Sequence, residues 1–228
     1  DENSPNAIVS YYVKGALIAL CLDLLLRSRS DDRVSLDTLM LRLWREHGQT
    51  GIGLQDDDIP RIAAELCGDS LEDFWQQALH GTTELPLQEL LAARGVQWTL
   101  RAAENAADTG GKPVAESAAR PSLGIKVQNA DGGAQLQLVF AGGAAQQSGL
   151  SAGDVIVALD GLRVNGATIE KMIAARRPGD VLDVHAFRRD ELMQFRVTVG
   201  QAPHDTCVLQ LPDDSNARHQ VEGWILGR

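Results

Sequence analysis

Hydrophobic positions along this chain recur at two different spacings, and the change falls near residue 120. Upstream, apolar residues return every three or four positions, the repeat of a helix that buries one face. The spacing predicts a first helix over 11–27. It is apolar nearly all round and so expected to be buried on most sides, with Asp23 and Arg27 four apart and placed to pair. A second helix is predicted over 36–47, capped by Ser35 and closed by Gly48. The carboxylates of Asp56, Asp57 and Asp58 suit the start of a third, which ends at Gly68. Ser70-Leu71-Glu72-Asp73 reads as a capping box with Asp in its last position, opening a fourth helix that ends at Gly81. Pro86 suits the first turn of a fifth that stops before Gly95, and 96–100 reads as a short strand.

Residues 102–120 carry no apolar period. They are rich in Ala, with Gly110-Gly111, Pro113 and Pro121 nearby, and read as a linker. Beyond it the period is two. Gln135-Leu136-Gln137-Leu138 alternates after a turn at Asp131-Gly132-Gly133, and 155–159 reads as a buried strand. A helix is predicted over 168–176, capped by Thr168 or Asn165, with closing strands over 181–187 and 194–199. The expected architecture is α+β and multidomain: a helical domain over 1–101, the linker, a β-sandwich with one main helix over 121–202, and a polar tail over 203–228 that ends in an apolar patch at Trp224-Ile225-Leu226.

The net charge of −10 falls mostly in the first 120 residues. No segment gathers the Lys and Arg that displacing counterions from a nucleic acid requires. The apolar run at 15–26 is too short to span a bilayer, so a membrane is not an expected partner. Cys21, Cys67 and Cys207 form no C-x-x-C pair and are odd in number, which favours buried thiols over a disulfide framework. On those thiols alone, a reducing, cytoplasmic compartment is expected.

One ordered set of motifs covers 122–200. It runs Ser122-Leu123-Gly124-Ile125, then Gly143-Ala144-Ala145 through Gly149-Leu150, then Gly153-Asp154-Val155-Ile156, then Leu159-Asp160-Gly161. That order resembles the bacterial type of PDZ domain, a module that binds an extended peptide end. The resemblance implies that the backbone N–H groups of Leu123, Gly124 and Ile125 converge on a terminal carboxylate. The ligand then adds as a strand beside Ile125, Lys126 and Val127, with a side-chain pocket from Ile169, Met172 and Ile173 on one helix face. Leu123, Ile125 and the three helix residues equally suit plain core positions, and such modules also serve as spacers.

The helical half carries a second resemblance. Tyr11-Tyr12-Val13-Lys14-Gly15-Ala16-Leu17, Ser35-Leu36-Asp37, Leu43-Trp44, Phe74-Trp75, Gly81-Thr82-Thr83-Glu84-Leu85-Pro86-Leu87 and the ending Trp224-Ile225-Leu226-Gly227 look like the glycyl aminopeptidase family of thermolysin-like zinc metallopeptidases. The resemblance implies a C-terminal half whose zinc site, His-Glu-x-x-His with a further Glu, lies upstream in the full-length protein, so that the N-terminal half is a partner. This chain itself has no such motif: of His47, His80, His185, His204 and His219, no two are four apart. No metal ligand, cofactor or activity is therefore expected of the chain alone. The family pattern gives the first Tyr of Tyr-x-Lys-Gly a role as neutral donor to the oxyanion of the attacked carbonyl. Here that residue is Tyr12, with Tyr11 the alternative. The competing reading is a non-catalytic helical adaptor with a PDZ domain that binds peptide C-termini. The tail of a serine protease fits poorly, because the region ahead of the PDZ-like stretch is helical.

Overall fold

The computed structural model describes residues 6, 10–104, 108–113 and 119–226. The chain folds as two compact units, one of 1–9 and 99–208, the other of 10–98 and 209–228. It is a mixed α+β protein, helical in the second unit and built on antiparallel sheet in the first.

The helical unit opens with α1 (Tyr11–Arg29), whose Ser10 cap accepts from Val13 N–H. Only its second half is covered: Cys21, Leu22, Leu24 and Leu26 are buried, whereas Tyr11, Tyr12 and Val13 stand mostly exposed. The expectation of burial on most sides therefore fails over 11–17, where every residue but the half-buried Lys14 is exposed. Asp23 is the unit's polar hub. Its carboxylate takes Arg27 Nε at 2.9 Å, Leu36 N–H at 2.8 Å and the Trp224 indole N–H at 2.8 Å. Burial alone raises this carboxyl, but the three hydrogen bonds and the Arg27 charge outweigh it and hold the pKa below its ordinary value.

The second helix, α2 (Leu36–Leu43), starts on a capping box in which Ser35 and Thr38 exchange hydrogen bonds. It runs into a π-helical turn over Trp44–Gly48, where Gly48 leaves room for the Trp44 ring. Next come α3 (Asp58–Cys67), closed by Gly68 at φ +72°, and α4 (Glu72–Trp75), which widens into a second π-helical turn over Gln76–His80. The capping box expected at Ser70 does not form. Ser70 Oγ accepts from Glu72 N–H, one residue short of the box geometry. Then follow α5 (Leu87–Ala93), behind Pro86, and strand β1 (Gln97–Ala102).

The stretch read as a free linker is tied down where it is described. Asp108 binds Arg101 and accepts from the N–H groups of Glu104 and Gly110, while Gly111 N–H reaches Cys207 O. The Arg101 guanidinium and the two N–H groups hold the Asp108 carboxyl well below the usual carboxylate range. Residues 105–107 and 114–118 of the expected linker lie outside the described residues, as does Gly227. The stretch read as a polar tail is also structured: β10 (His204–Gln210) pairs with β1, and α8 (Ser215–Leu226) returns to the helical unit. Val221 is buried there and Trp224 packs partly buried on the same core, so two apolar residues three apart anchor the helix while Ile225 stays exposed.

The sheet unit begins with β2 (Pro121–Ser122), followed by β3 (Ile125–Ala130), β4 (Gly133–Val139), a short helix α6 (Ala144–Gln147), β5 (Val155–Leu159) and β6 (Leu162–Arg163). Helix α7 (Ile169–Ala174), β7 (Val181–Arg188), β8 (Glu191–Thr198) and β9 (Gly200–Gln201) complete it. The main sheet runs β3-β4-β5-β7-β8, with β6 on β5, and β2 pairs with β9. Its core is a single cluster that includes Leu136, Ile156, Leu159, Leu182, Val184 and Val197. Asp154 is buried against it, bound through both oxygens by Arg188 at 2.8 Å and capping Ser151 N–H at 2.9 Å. Helix α7 is shorter than the predicted 168–176. Its entry is set by Asn165, whose side-chain oxygen accepts from Ala167 and Thr168 N–H. Cys21 is fully buried, which pushes its thiol up to about 11, but Cys67 and Cys207 are half-buried rather than buried as expected. Among the described residues, no helix is long and apolar enough to cross a membrane.

Candidate functional site

Two arrangements carry chemistry, one in each unit. In the sheet unit, β3 is an edge strand, and among the described residues no strand pairs with its other side. The loop ahead of it, Ser122 to Ile125, is fixed from behind. Leu123 O accepts from Ala145 N–H and Gly124 O from Phe140 N–H, both at 2.9 Å. Gly124 sits at φ +69°, and a Cβ there would stand 3.0 Å from Gly143 Cα, so the tight return requires glycine. Of the three N–H groups expected to face a carboxylate, that of Gly124 already donates to Ser122 Oγ at 3.0 Å. A cavity of about 600 Å³ opens beside this loop, lined by Gly124, Ile125, Phe140, Gly143 and Val199 among others. Asn6 closes one side of it: its side-chain amide donates to Val139 O at 2.7 Å and accepts from Ala141 N–H at 2.8 Å. Sequence reading missed Asn6, since a lone Asn among unpatterned residues gives no signal.

The other predicted groove residues divide. Leu123 and Ile169 are wholly buried and Ile173 nearly so, all within the sheet unit's core, so they support the groove from below. Ile125, Val127 and Met172 are partly buried and pack on the same core, leaving surface for a ligand. Lys126 is exposed, with its ammonium 5.9 Å from the Phe140 ring centroid.

In the helical unit, Tyr11 and Tyr12 lie in the first turn of α1 with ring centroids 4.2 Å apart. Each is 74% exposed. A hydrogen bond with the Tyr12 hydroxyl, with some desolvation, raises the Tyr11 phenol above its ordinary value. Tyr11 is thus a neutral donor at physiological pH. Among the described residues, no three His, Cys, Asp or Glu side chains come together to hold a metal ion. His47 Nε2 stands 3.9 Å from Asp58 Oδ2, but Asp58 is already engaged by Arg61 and Gln55 N–H. The described side chains of this chain do not fit a catalytic zinc, which needs three protein ligands.

Residues 121–199 match the family model of the PDZ domain. The crystal structure of an aminopeptidase N family protein from Idiomarina loihiensis matches at 38% sequence identity and a TM-score of 0.85, over 96% of this chain and 37% of that one. This chain therefore spans a little over a third of that relative's length. An HtrA-type protease AlgW with a decapeptide matches at 24% identity and a TM-score of 0.35, over 37% of this chain and 30% of that one. The HtrA3 PDZ domain bound to a phage-derived ligand matches at 17% identity and a TM-score of 0.33, over 40% of this chain and 88% of that one. No curated protein matches the chain by sequence. The chain is a mixed α+β protein that carries a PDZ domain, and it shares nearly its whole length with part of an aminopeptidase N family protein.

Proposed function

We propose that this chain is the C-terminal part of a zinc-dependent aminopeptidase, uniting a helical portion of the catalytic region with a PDZ domain that captures peptide C-termini. The supporting observation is the match to an aminopeptidase N family protein over 96% of the chain, through both units at once, since a helical adaptor with an unrelated PDZ domain has no reason to follow that order throughout. In this reading zinc is held by residues of the preceding half, which is the first partner, and supplies an activated water when bound. Tyr12 of this chain donates a hydrogen bond from its phenol O–H to the carbonyl oxygen as charge develops there. The exposed first turn of α1, with Tyr11, Tyr12 and Val13, is then the face on which the catalytic half packs. The substrates are peptides with a small N-terminal residue, Gly or Ala.

The second partner is a peptide or protein C-terminus, bound along Ile125, Lys126 and Val127 with Met172 at the pocket and the loop Leu123-Gly124 at the carboxylate. Release of the chromophore from glycine and alanine 4-nitroanilides by the longer protein, and its loss on chelation, is the direct test. Turnover by the present chain alone, or an active longer protein without His-Glu-x-x-His, overturns the proposal.

A further inference from the structure

The open edge of β3 is shorter than the strand itself. β3 meets β4 in the register Ile125↔Val139, Lys126↔Leu138, Val127↔Leu136, Gln128↔Gln135 and Asn129↔Ala134, with a bulge between Lys126 and Val127. Along an antiparallel pair, residues alternate between those that bond across the pair and those whose N–H and C=O point away from it. Leu136, opposite Val127, turns both groups to its other side, donating to Asp154 O at 2.8 Å and accepting from Gly153 N–H at 2.7 Å. Val127 thus faces the open edge, and Asn129, two residues on, shares its phase. At the strand's start, Phe140 N–H binds Gly124 O, so the next pair, Ile125↔Val139, is out of phase with that bond. Val139 O indeed accepts from Asn6 instead. Ile125, Val127 and Asn129 are therefore the residues able to bond an added strand.

Asn129 is not available for this. The turn ahead of α7, shaped by Asn165, lays Gly166 on the end of β3. A Cβ at Gly166 would stand 2.9 Å from Asn129 N, 2.7 Å from its Oδ1 and 3.0 Å from Gln128 C. The main chain of the turn occupies the place where the fourth and fifth ligand residues, opposite Gln128 and Asn129, would lie. Only Ile125 and Val127 remain open, two residues apart, which suits a ligand segment three residues long.

We infer that the turn at 165–167 is a stop that limits the recognised peptide to its last three residues, with Gly166 as the residue that lets the stop close. The inference rests on the peptide-binding reading above. It makes the domain a reader of a free carboxylate and three residues, indifferent to what precedes them as long as the upstream chain bends away at Gly166.

The test is a calorimetric or fluorescence titration of this chain with alanine peptides ending in valine, two, three, four and six residues long, each with a free carboxylate. From two residues to three, the main-chain bonds at Val127 become available and the Kd falls by about fivefold to tenfold. From three to six, it stays within about twofold. A six-residue peptide binding tenfold tighter than the three-residue one overturns the stop and leaves the peptide-binding reading intact. No binding at any length overturns that reading and the stop with it. Gly166→Ala pushes the turn off β3, and in this variant, checked for native circular dichroism, the six-residue peptide gains over the three-residue one. A folded Gly166→Ala protein with an unchanged length series also overturns the stop.

Discussion

The PDZ domain builds its candidate site from main chain, and the helical unit builds its own from side chains. In the first, the proposed ligand's bonding partners are backbone groups whose direction follows from strand register, so the proposal falls on Ile125 and Val127 by geometry. In the second, two adjacent tyrosines project from one helical turn with equal exposure, and register says nothing about which of them acts. A backbone site is defined by the fold, while a side-chain site is complete only when something else is brought to it. The difference predicts opposite sensitivities. Groove function should fail when backbone shape changes and tyrosine function when a single hydroxyl is removed.

The largest effects should come from the cores, and they test whether the units stand separately. Ile156→Ala in the sheet unit and Leu24→Ala in the helical unit each remove a fully buried side chain and should cost about 2–5 kcal/mol. Hydrogen exchange should show lost protection only in the unit that carries the substitution. Loss spread evenly over both would dissolve the comparison. Next in size, Tyr12→Phe in the longer protein should lower kcat about 10²–10³-fold, the usual cost of one oxyanion donor, with KM and zinc content nearly unchanged. An active Tyr12→Phe enzyme with an inactive Tyr11→Phe one would transfer the role to Tyr11.

Gly124→Val should cost about 1–3 kcal/mol, because it forces a branched residue to φ +69° and against Gly143 Cα, and it should abolish peptide binding. Met172→Asp should abolish binding without unfolding the helical unit. The smallest effect concerns Asp23. Its folded pKa is depressed, so its contribution is present above the unfolded carboxylate value of about 3.9 and is lost as pH falls through the folded value. Wild type should therefore lose stability relative to Asp23→Asn between about pH 4 and lower pH in acid melts. A constant gap between the two proteins over that range would remove Asp23 from the hub role.

What the sequence disclosed and what it concealed follow the same division. The sheet unit was legible because its turns need glycine: Gly124, Gly132, Gly149, Gly153 and Gly161 all adopt positive φ and punctuate the strands between them. The helix starts at Ser35 and the stop at Gly68 were legible for similar local reasons. Helix α8 was hidden because its anchors, Val221 and Trp224, bury against residues far away in sequence. The linker's order was hidden because Asp108 gathers its ties from Arg101 and from backbone, and neither produces an apolar period. The groove's floor was readable as motif. The proposed end stop was not, since Gly166 comes beside Asn129 only after the strand and the helix turn have come together.

The order of the two units along the chain has a consequence for synthesis. The helical unit is interrupted after Trp98 and resumes at Leu209, with the PDZ domain lying between. Asp23 and Trp224, bonded at 2.8 Å, are 201 positions apart. At about 5–20 residues per second, the ribosome delivers Trp224 roughly 10–40 s after Asp23. During that interval the first helices wait without their closing segment, while the PDZ domain emerges entire and can fold. The PDZ domain is thus both a delay and a spacer in the birth of the helical unit, and a premature stop anywhere after it leaves a finished PDZ domain attached to an unfinished neighbour.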